Sequence, residues 1–219
     1  MSETVVPVAI SDHQTVTAVL TESEVRAASW IFIYAPGAGS NVYDPFGCHL
    51  SRRLPASGVA VARFQFPYME LGKRWPDRPA VLEEVWRAAV EVFRGRDRRL
   101  LVGGRSMGGR IASQIVSAGT LVDAVALFAY PLHPPGNPLK TRDEHLPAIK
   151  VPTLFCSGTR DAFGSKEELE AISARVKAST VRWLDAADHG FNVPKSSGRS
   201  GEQVQEEAFG ALMDWLGSI

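Results

Sequence analysis

The stretch Leu100-Leu101-Val102-Gly103-Gly104-Arg105-Ser106-Met107-Gly108-Gly109 constrains this chain more than any other, because it sets one serine between glycines where an apolar strand gives way to a helix. Gly104 and Gly108 stand two residues either side of Ser106. The chain can therefore turn sharply and lift a hydroxyl above the sheet without Cβ atoms meeting the flanking backbone. The context agrees: residues 99–102 read as a short buried strand and residues 111–116 as the helix that continues from the turn. This is the form of a nucleophile elbow.

Two nucleotide-binding readings of the same glycines fail on their chemistry. Counted from Gly103, the run has the glycine spacing of a phosphate loop, but Gly109 and Arg110 stand where Lys and Ser or Thr would hold phosphate and magnesium. No register of Gly103, Gly104, Gly108 and Gly109 supplies the Gly-x-Gly-x-x-Gly of a dinucleotide site.

Strand-like and helix-like segments alternate from about residue 30, the pattern of a mostly parallel sheet covered by helices on both faces. The fold class is α/β. Candidate strands are 30–34, 59–64, 99–102, 124–129, 153–157 and 181–184, short and apolar as fully buried parallel strands tend to be. Residues 5–10 and 14–20 flank Ser11-Asp12-His13 and suggest an antiparallel pair at one edge. Val81, Leu82, Val85, Trp86, Ala89 and Phe93 make a helical stripe, with Glu83, Glu84, Arg87, Glu91 and Arg94 facing away. Val204, Ala208, Leu212, Trp215 and Leu216 repeat the pattern in a closing helix that begins with Glu202, Glu206 and Glu207. Both stripes read as core. Segments 65–79, 130–150 and 194–201 read as loops within one domain spanning residues 1–219.

With 24 basic and 24 acidic residues the chain has a formal net charge of zero, so no global field draws it to nucleic acid or an anionic membrane. Its apolar runs fall short of the roughly 18 to 20 residues of a membrane span. The first residues lack the basic, then apolar, then small-residue order of a secretory signal, which gives the expectation of a cytoplasmic protein. Cys48 and Cys156 are too few and too far apart for a disulfide framework or a Cys-based metal site and read as buried thiols. The five histidines are scattered without a His-x-x-x-His pair, so neither metal nor other cofactor is expected. Oligomeric state leaves no mark in the sequence.

A serine hydroxyl is a poor nucleophile at neutral pH and requires a base, an acid to orient it, and donors for the developing oxyanion. His189, in Asp188-His189-Gly190-Phe191 just after the last candidate strand, is the best base, and Asp161, after the preceding strand, the best acid. Ser106, Asp161 and His189 then stand in the chain order of an α/β hydrolase. The amide of Met107, next to the nucleophile and at the start of its helix, is one expected oxyanion donor. Ala38, in Tyr34-Ala35-Pro36-Gly37-Ala38-Gly39-Ser40, is the second. Because only unprotonated imidazole acts as base, activity is expected to rise with pH.

Pro36-Gly37-Ala38-Gly39, Gly104-Arg105-Ser106-Met107-Gly108-Gly109, Ser157-Gly158-Thr159-Arg160-Asp161 and Asp188-His189 together resemble the α/β-hydrolase superfamily. More narrowly, they resemble its small lidless dienelactone-hydrolase-like branch, which includes bacterial relatives of a chromatin-complex subunit's hydrolase-like domain. The resemblance runs from about residue 30 to the C-terminus. It implies a three-layer fold around an eight-stranded, mostly parallel sheet, and ester-type hydrolysis. Dienelactone hydrolases proper carry cysteine where Ser106 stands, and no separate cap domain is encoded here.

Several plainer roles compete. Ser106 could merely begin a helix, Asp161 could be a turn or helix-start acid, and Asp185 and Asp188 are rival acids. His133 and His145 could line the site or be structural, and His13 and His49 carry no signal. The pocket wall is expected from Phe66, Tyr68, Met69 and Trp75 on one loop and Tyr130, Leu132 and His133 on another, favouring a small-molecule acyl substrate of modest size. The expected activity is cleavage of a carboxylic ester or thioester. Acyl transfer by the same three residues, or a non-catalytic interaction module on the scaffold, are the alternatives.

Overall fold

Strands that are apolar on both faces must be covered on both, and here they occupy the middle of the sheet. The computed structural model describes residues 2–25, 29–95 and 97–219. Its strands are β1 (Glu3–Ser11), β2 (Gln14–Thr21), β3 (Trp30–Ala35), β4 (Val59–Phe64), β5 (Arg99–Arg105), β6 (Ala124–Phe128), β7 (Thr153–Gly158) and β8 (Ser179–Leu184). They form one eight-stranded sheet in the order β1-β2-β4-β3-β5-β6-β7-β8. β2 runs antiparallel to β1 and β4, and the remaining pairs are parallel.

The helices are α1 (Pro45–Arg53), α2 (Pro67–Glu70), α3 (Pro79–Phe93), α4 (Met107–Ser117), α5 (Lys166–Ser173) and α6 (Gly201–Leu216). The period-two alternation of β3 divides the core. Ile31, Ile33 and Ala35 face α3, α4 and α5, while Trp30, Phe32 and Tyr34 face α1 and α6. Trp86 on α3 and Trp215 on α6 are buried on opposite sides of the sheet, as their stripes predict. The result is three layers with no separate cap.

The departures from expectation have local causes. β5 continues past Val102 because Gly103 and Gly104 stay in register with β6; a Cβ on Gly103 would lie 1.9 Å from Ala126 O. α5 stops at Ser173, its last carbonyls taken by local bonds, among them Ser179 Oγ donating to Ser173 O at 2.7 Å. α1 shows no apolar stripe in the sequence, yet forms because buried Asp44 caps Gly47 N–H at 3.0 Å and Pro45 opens the helix. Cys156 is buried, whereas Cys48 is only half-buried and lies 2.7 Å from Arg63 Nη1.

Candidate active site

Parallel strands leave their carboxyl ends along one edge, where loops that follow different strands can meet. Ser106 follows β5, Asp161 follows β7 and His189 follows β8. The elbow at Ser106 depends on close backbone approach: a Cβ on Gly104 would lie 2.0 Å from Ala35 O, and one on Gly108 2.1 Å from the same atom. With those side chains absent, β5 and α4 press onto the end of β3. Ser106 itself is held at φ 51°, ψ −118°, its N–H donating to Phe128 O at 2.9 Å. A non-glycine residue in that region costs about 1–3 kcal/mol, offset by the surrounding structure.

The three predicted side chains meet. His189 Nε2 lies 2.8 Å from Ser106 Oγ, and His189 Nδ1 lies 2.8 and 3.0 Å from the two carboxylate oxygens of Asp161. The Asp161 side chain is 2% exposed, which strengthens its hold on the imidazole. Its Oδ1 also accepts the Phe163 N–H at 2.8 Å, and the Phe163 ring stacks on the imidazole with centroids 3.9 Å apart. A carboxylate facing Nδ1 places the proton there, so Nε2 accepts from the serine hydroxyl. The rival Asp188 is occupied in its own turn, accepting the Gly190 and Asn192 N–H groups at 2.8 and 2.9 Å.

Ala38 and Met107 line the same cavity as Ser106 and His189. Neither amide is taken by another group among the described residues. The loop carrying Ala38 is anchored from outside the sheet: Gly39 N–H donates to Tyr68 Oη at 2.9 Å. Trp86 Nε1 donates to Gly108 O at 3.1 Å and ties α4 to α3.

The expected pocket wall needs correction. The cavity, about 440 Å³, is lined by Pro76, Asp77, Pro79 and Leu82 from before and within α3, by Pro131, Arg142 and Phe163 from the loops after β6 and β7, and by Arg105 and Arg110 around the elbow. The two expected loops do contribute, through other residues. Phe66 packs edge-on against Phe64 in the core, and Tyr68 is buried with its hydroxyl committed to the Ala38 loop. Tyr130 is buried against Phe155 and donates to Arg142 O at 2.6 Å. Leu132 is buried in the core, and Met69, partly buried, packs against it. His133 is turned towards α5, with Nε2 3.1 Å from Glu168; the contact of Nδ1 with the Pro134 carbonyl, and after it the one with Glu168, raises its pKa. Trp75 is 76% exposed under Arg74. Phe66, Tyr68 and Tyr130 find more apolar contact inside the protein than at the cavity. His145 also stays outside the lining, with Nε2 2.7 Å from Ser113 Oγ.

Sequence reasoning passed over Arg105, Arg110, Arg142 and Phe163. Two had a legible signal: Arg110 is four residues beyond Ser106 on one helical face, and Phe163 is two beyond Asp161. Arg105 pairs with buried Asp44 at 3.2 Å, and Asp44 in turn accepts the Tyr34 hydroxyl at 2.6 Å. Burial, then the Asp44 charge, raises the Tyr34 pKa well above its ordinary value, so this phenol remains a proton donor.

Residues 28–217 match the model of the alpha/beta hydrolase domain family. The chain belongs to the alpha/beta hydrolase family. Among solved structures it is similar to Est1E from Butyrivibrio proteoclasticus, at 12% identity and TM-score 0.76, covering 97% of this chain and 99% of that one. It is similar to a dienelactone hydrolase from Anabaena variabilis, at 19% identity and TM-score 0.75, over 97% of both chains. A lidless α/β serine hydrolase from Xanthomonas campestris matches at 15% identity and TM-score 0.75, over 99% of this chain and 94% of that one. These likenesses show one fold, an α/β hydrolase without a separate cap. Among the described residues no group of three or more His, Cys, Asp or Glu is gathered as for a metal ion, and no helix is long and apolar enough to cross a membrane.

Proposed function

We propose that the protein is a serine hydrolase that cleaves a carboxylic ester or thioester of modest size through an acyl-enzyme on Ser106. What supports this is the relay itself, with His189 Nε2 2.8 Å from Ser106 Oγ and Nδ1 2.8 Å from buried Asp161. As Ser106 Oγ attacks the acyl carbon, its proton passes to His189 Nε2 and the imidazolium is stabilised by the Asp161 carboxylate. The carbonyl oxygen becomes an oxyanion that accepts from the Ala38 and Met107 amides, each donor being worth on the order of 3 kcal/mol in the transition state. Collapse of the tetrahedral species expels the alcohol or thiol, which takes the proton from His189. Water then attacks the acyl carbon as its proton passes to the same nitrogen, and collapse of the second tetrahedral species releases the acid while His189 returns that proton to Ser106 Oγ.

A cavity of about 440 Å³ suits a small acyl group better than a long lipid chain. A fluorophosphonate probe, which phosphonylates activated serines, tests the proposal. Labelling of the purified protein that disappears in Ser106→Ala and falls steeply in His189→Ala is expected. A folded protein that resists the probe would overturn the enzymatic reading in favour of an interaction module.

A further inference from the structure

The zero net charge of the chain hides a local excess. Three arginines, Arg105, Arg110 and Arg142, line the cavity beside Ser106, against one carboxylate, Asp77. Arg105 is accounted for by Asp44 at 3.2 Å. The acids near the other two arginines are committed elsewhere. Asp77 accepts the Tyr68 N–H at 2.8 Å, Glu83 pairs with Arg87 at 2.8 Å, and Asp143 pairs with Arg175 at 2.8 Å. Arg110 has only Gln114 Oε1 at 3.4 Å, and Arg142 only Pro131 O at 3.3 Å. Among the described residues neither guanidinium has a carboxylate within ion-pairing distance.

Both are held in place. Arg110 N–H donates to Ser106 O at 3.0 Å, so Arg110 lies one helical turn from the nucleophile on the same side of α4. Arg142 is fixed through its own carbonyl, which accepts the hydroxyl of buried Tyr130 at 2.6 Å. Burial, with the nearby Arg142 charge, lowers the Arg110 pKa, the mark of a cation that lacks a counter-charge. Two partly desolvated like charges facing one cavity cost stability unless a ligand supplies the missing anion. Guanidinium groups match the oxygens of carboxylate and phosphate in geometry as well as charge.

We propose that Arg110 and Arg142 form a subsite for an anionic oxyacid group, carboxylate or phosphate, so that the substrates of this site are negatively charged esters or thioesters. This rests on the reading of Ser106 as nucleophile and adds a substrate class to it.

The test compares 4-nitrophenyl esters of one chain length whose far end is a carboxylate, a phosphonate or a neutral carboxamide. A second series carries the same groups on the alcohol. The expected result is a kcat/KM at least about tenfold higher for a charged ester than for the carboxamide, narrowing at high salt. Arg110→Gln and Arg142→Gln should each shrink that ratio about tenfold, while Arg142→Lys, which keeps the charge and loses the planar fork, should retain only part of it. Reading a ratio cancels losses shared by all substrates, and the comparison of carboxylate with phosphonate says which oxyacid the site prefers. Turnover without preference, or a preference untouched by both glutamine variants, would overturn the subsite and leave the hydrolase standing. Calorimetric binding of the same esters to Ser106→Ala separates the two failures. Arginine-dependent, charge-selective binding by a wild-type protein that neither hydrolyses nor labels would sink the hydrolase and keep the subsite; binding that ignores charge would overturn the subsite.

Discussion

Gly108 and Gly210 both lie within helices, and the same substitution should change stability in opposite directions at the two positions. A Cβ at Gly108 would lie 2.1 Å from Ala35 O, 2.5 Å from Ala35 C and 2.6 Å from Pro36 O. All three obstacles are backbone at the end of β3, which is paired on both sides by β4 and β5. α4 must therefore retreat by about 0.9 Å merely to bring the closest contact to the 3.0 Å that real Cβ atoms respect. Overpacking of this kind costs about 1–3 kcal/mol, and an unyielding backbone puts Gly108→Ala at the upper end, against about 1 kcal/mol gained from helix propensity. The expected net loss is about 2 kcal/mol. At Gly210 a Cβ meets nothing within 4 Å, so Gly210→Ala should keep its propensity gain of about 1 kcal/mol. Urea unfolding followed by the fluorescence of the five tryptophans reads both changes. A Gly108→Ala protein as stable as wild type would refute the claim that the elbow is packed against β3. A Gly210→Ala change of the same sign would refute the contrast drawn between the two positions.

Other consequences are open to measurement. Tyr68→Phe removes the acceptor of the Gly39 N–H and loosens the loop that presents the Ala38 amide, so kcat for a nitrophenyl ester should fall by about ten- to a hundredfold with KM little changed. Asp161→Asn takes away the charge that fixes the His189 tautomer while keeping the side chain's shape, and a fall in kcat of about ten-thousandfold is expected. Burial lowers the His145 pKa from 6.5 to about 4, so between those values the unfolded chain binds the proton that the folded one refuses. That contribution to stability is full above pH 6.5 and declines as pH falls towards 4, by about 2–3 kcal/mol. Subtracting the pH–stability curve of His145→Gln isolates it from the carboxylates that titrate alongside; a difference curve flat across that range would count against burial as the cause.

Much of the layout was legible because it obeys short-range rules. The central strands are apolar on both faces, α3 and α6 bury one stripe each, and glycines at 104 and 108 have backbone against them that excludes a side chain. Ser106, Asp161 and His189 could be placed because each follows a strand whose carboxyl end lies on the same edge. The pocket wall could not. Phe66, Tyr68 and Tyr130 have the composition of a binding surface, but Tyr68 and Tyr130 are turned inward by contacts distant in sequence, with Gly39 and Phe155, and Phe66 packs back on Phe64 at the end of its own strand. Nor do sequence patterns reveal which arginine already has a carboxylate. Arg105 and Arg110 differ in that respect only because Asp44 reaches one of them from the cap of α1.

Catalysis as proposed passes through a covalent bond to one oxygen atom, Ser106 Oγ. Rapid mixing with excess 4-nitrophenyl butanoate, acid quenching before steady state, and mass analysis of the intact protein and its peptides would detect that bond. One butanoyl group on the peptide bearing Ser106, formed with a stoichiometric burst of nitrophenol and absent from Ser106→Ala, is the expected result. Hydrolysis that persists in Ser106→Ala, with no acyl group on Ser106 at any time, would contradict it.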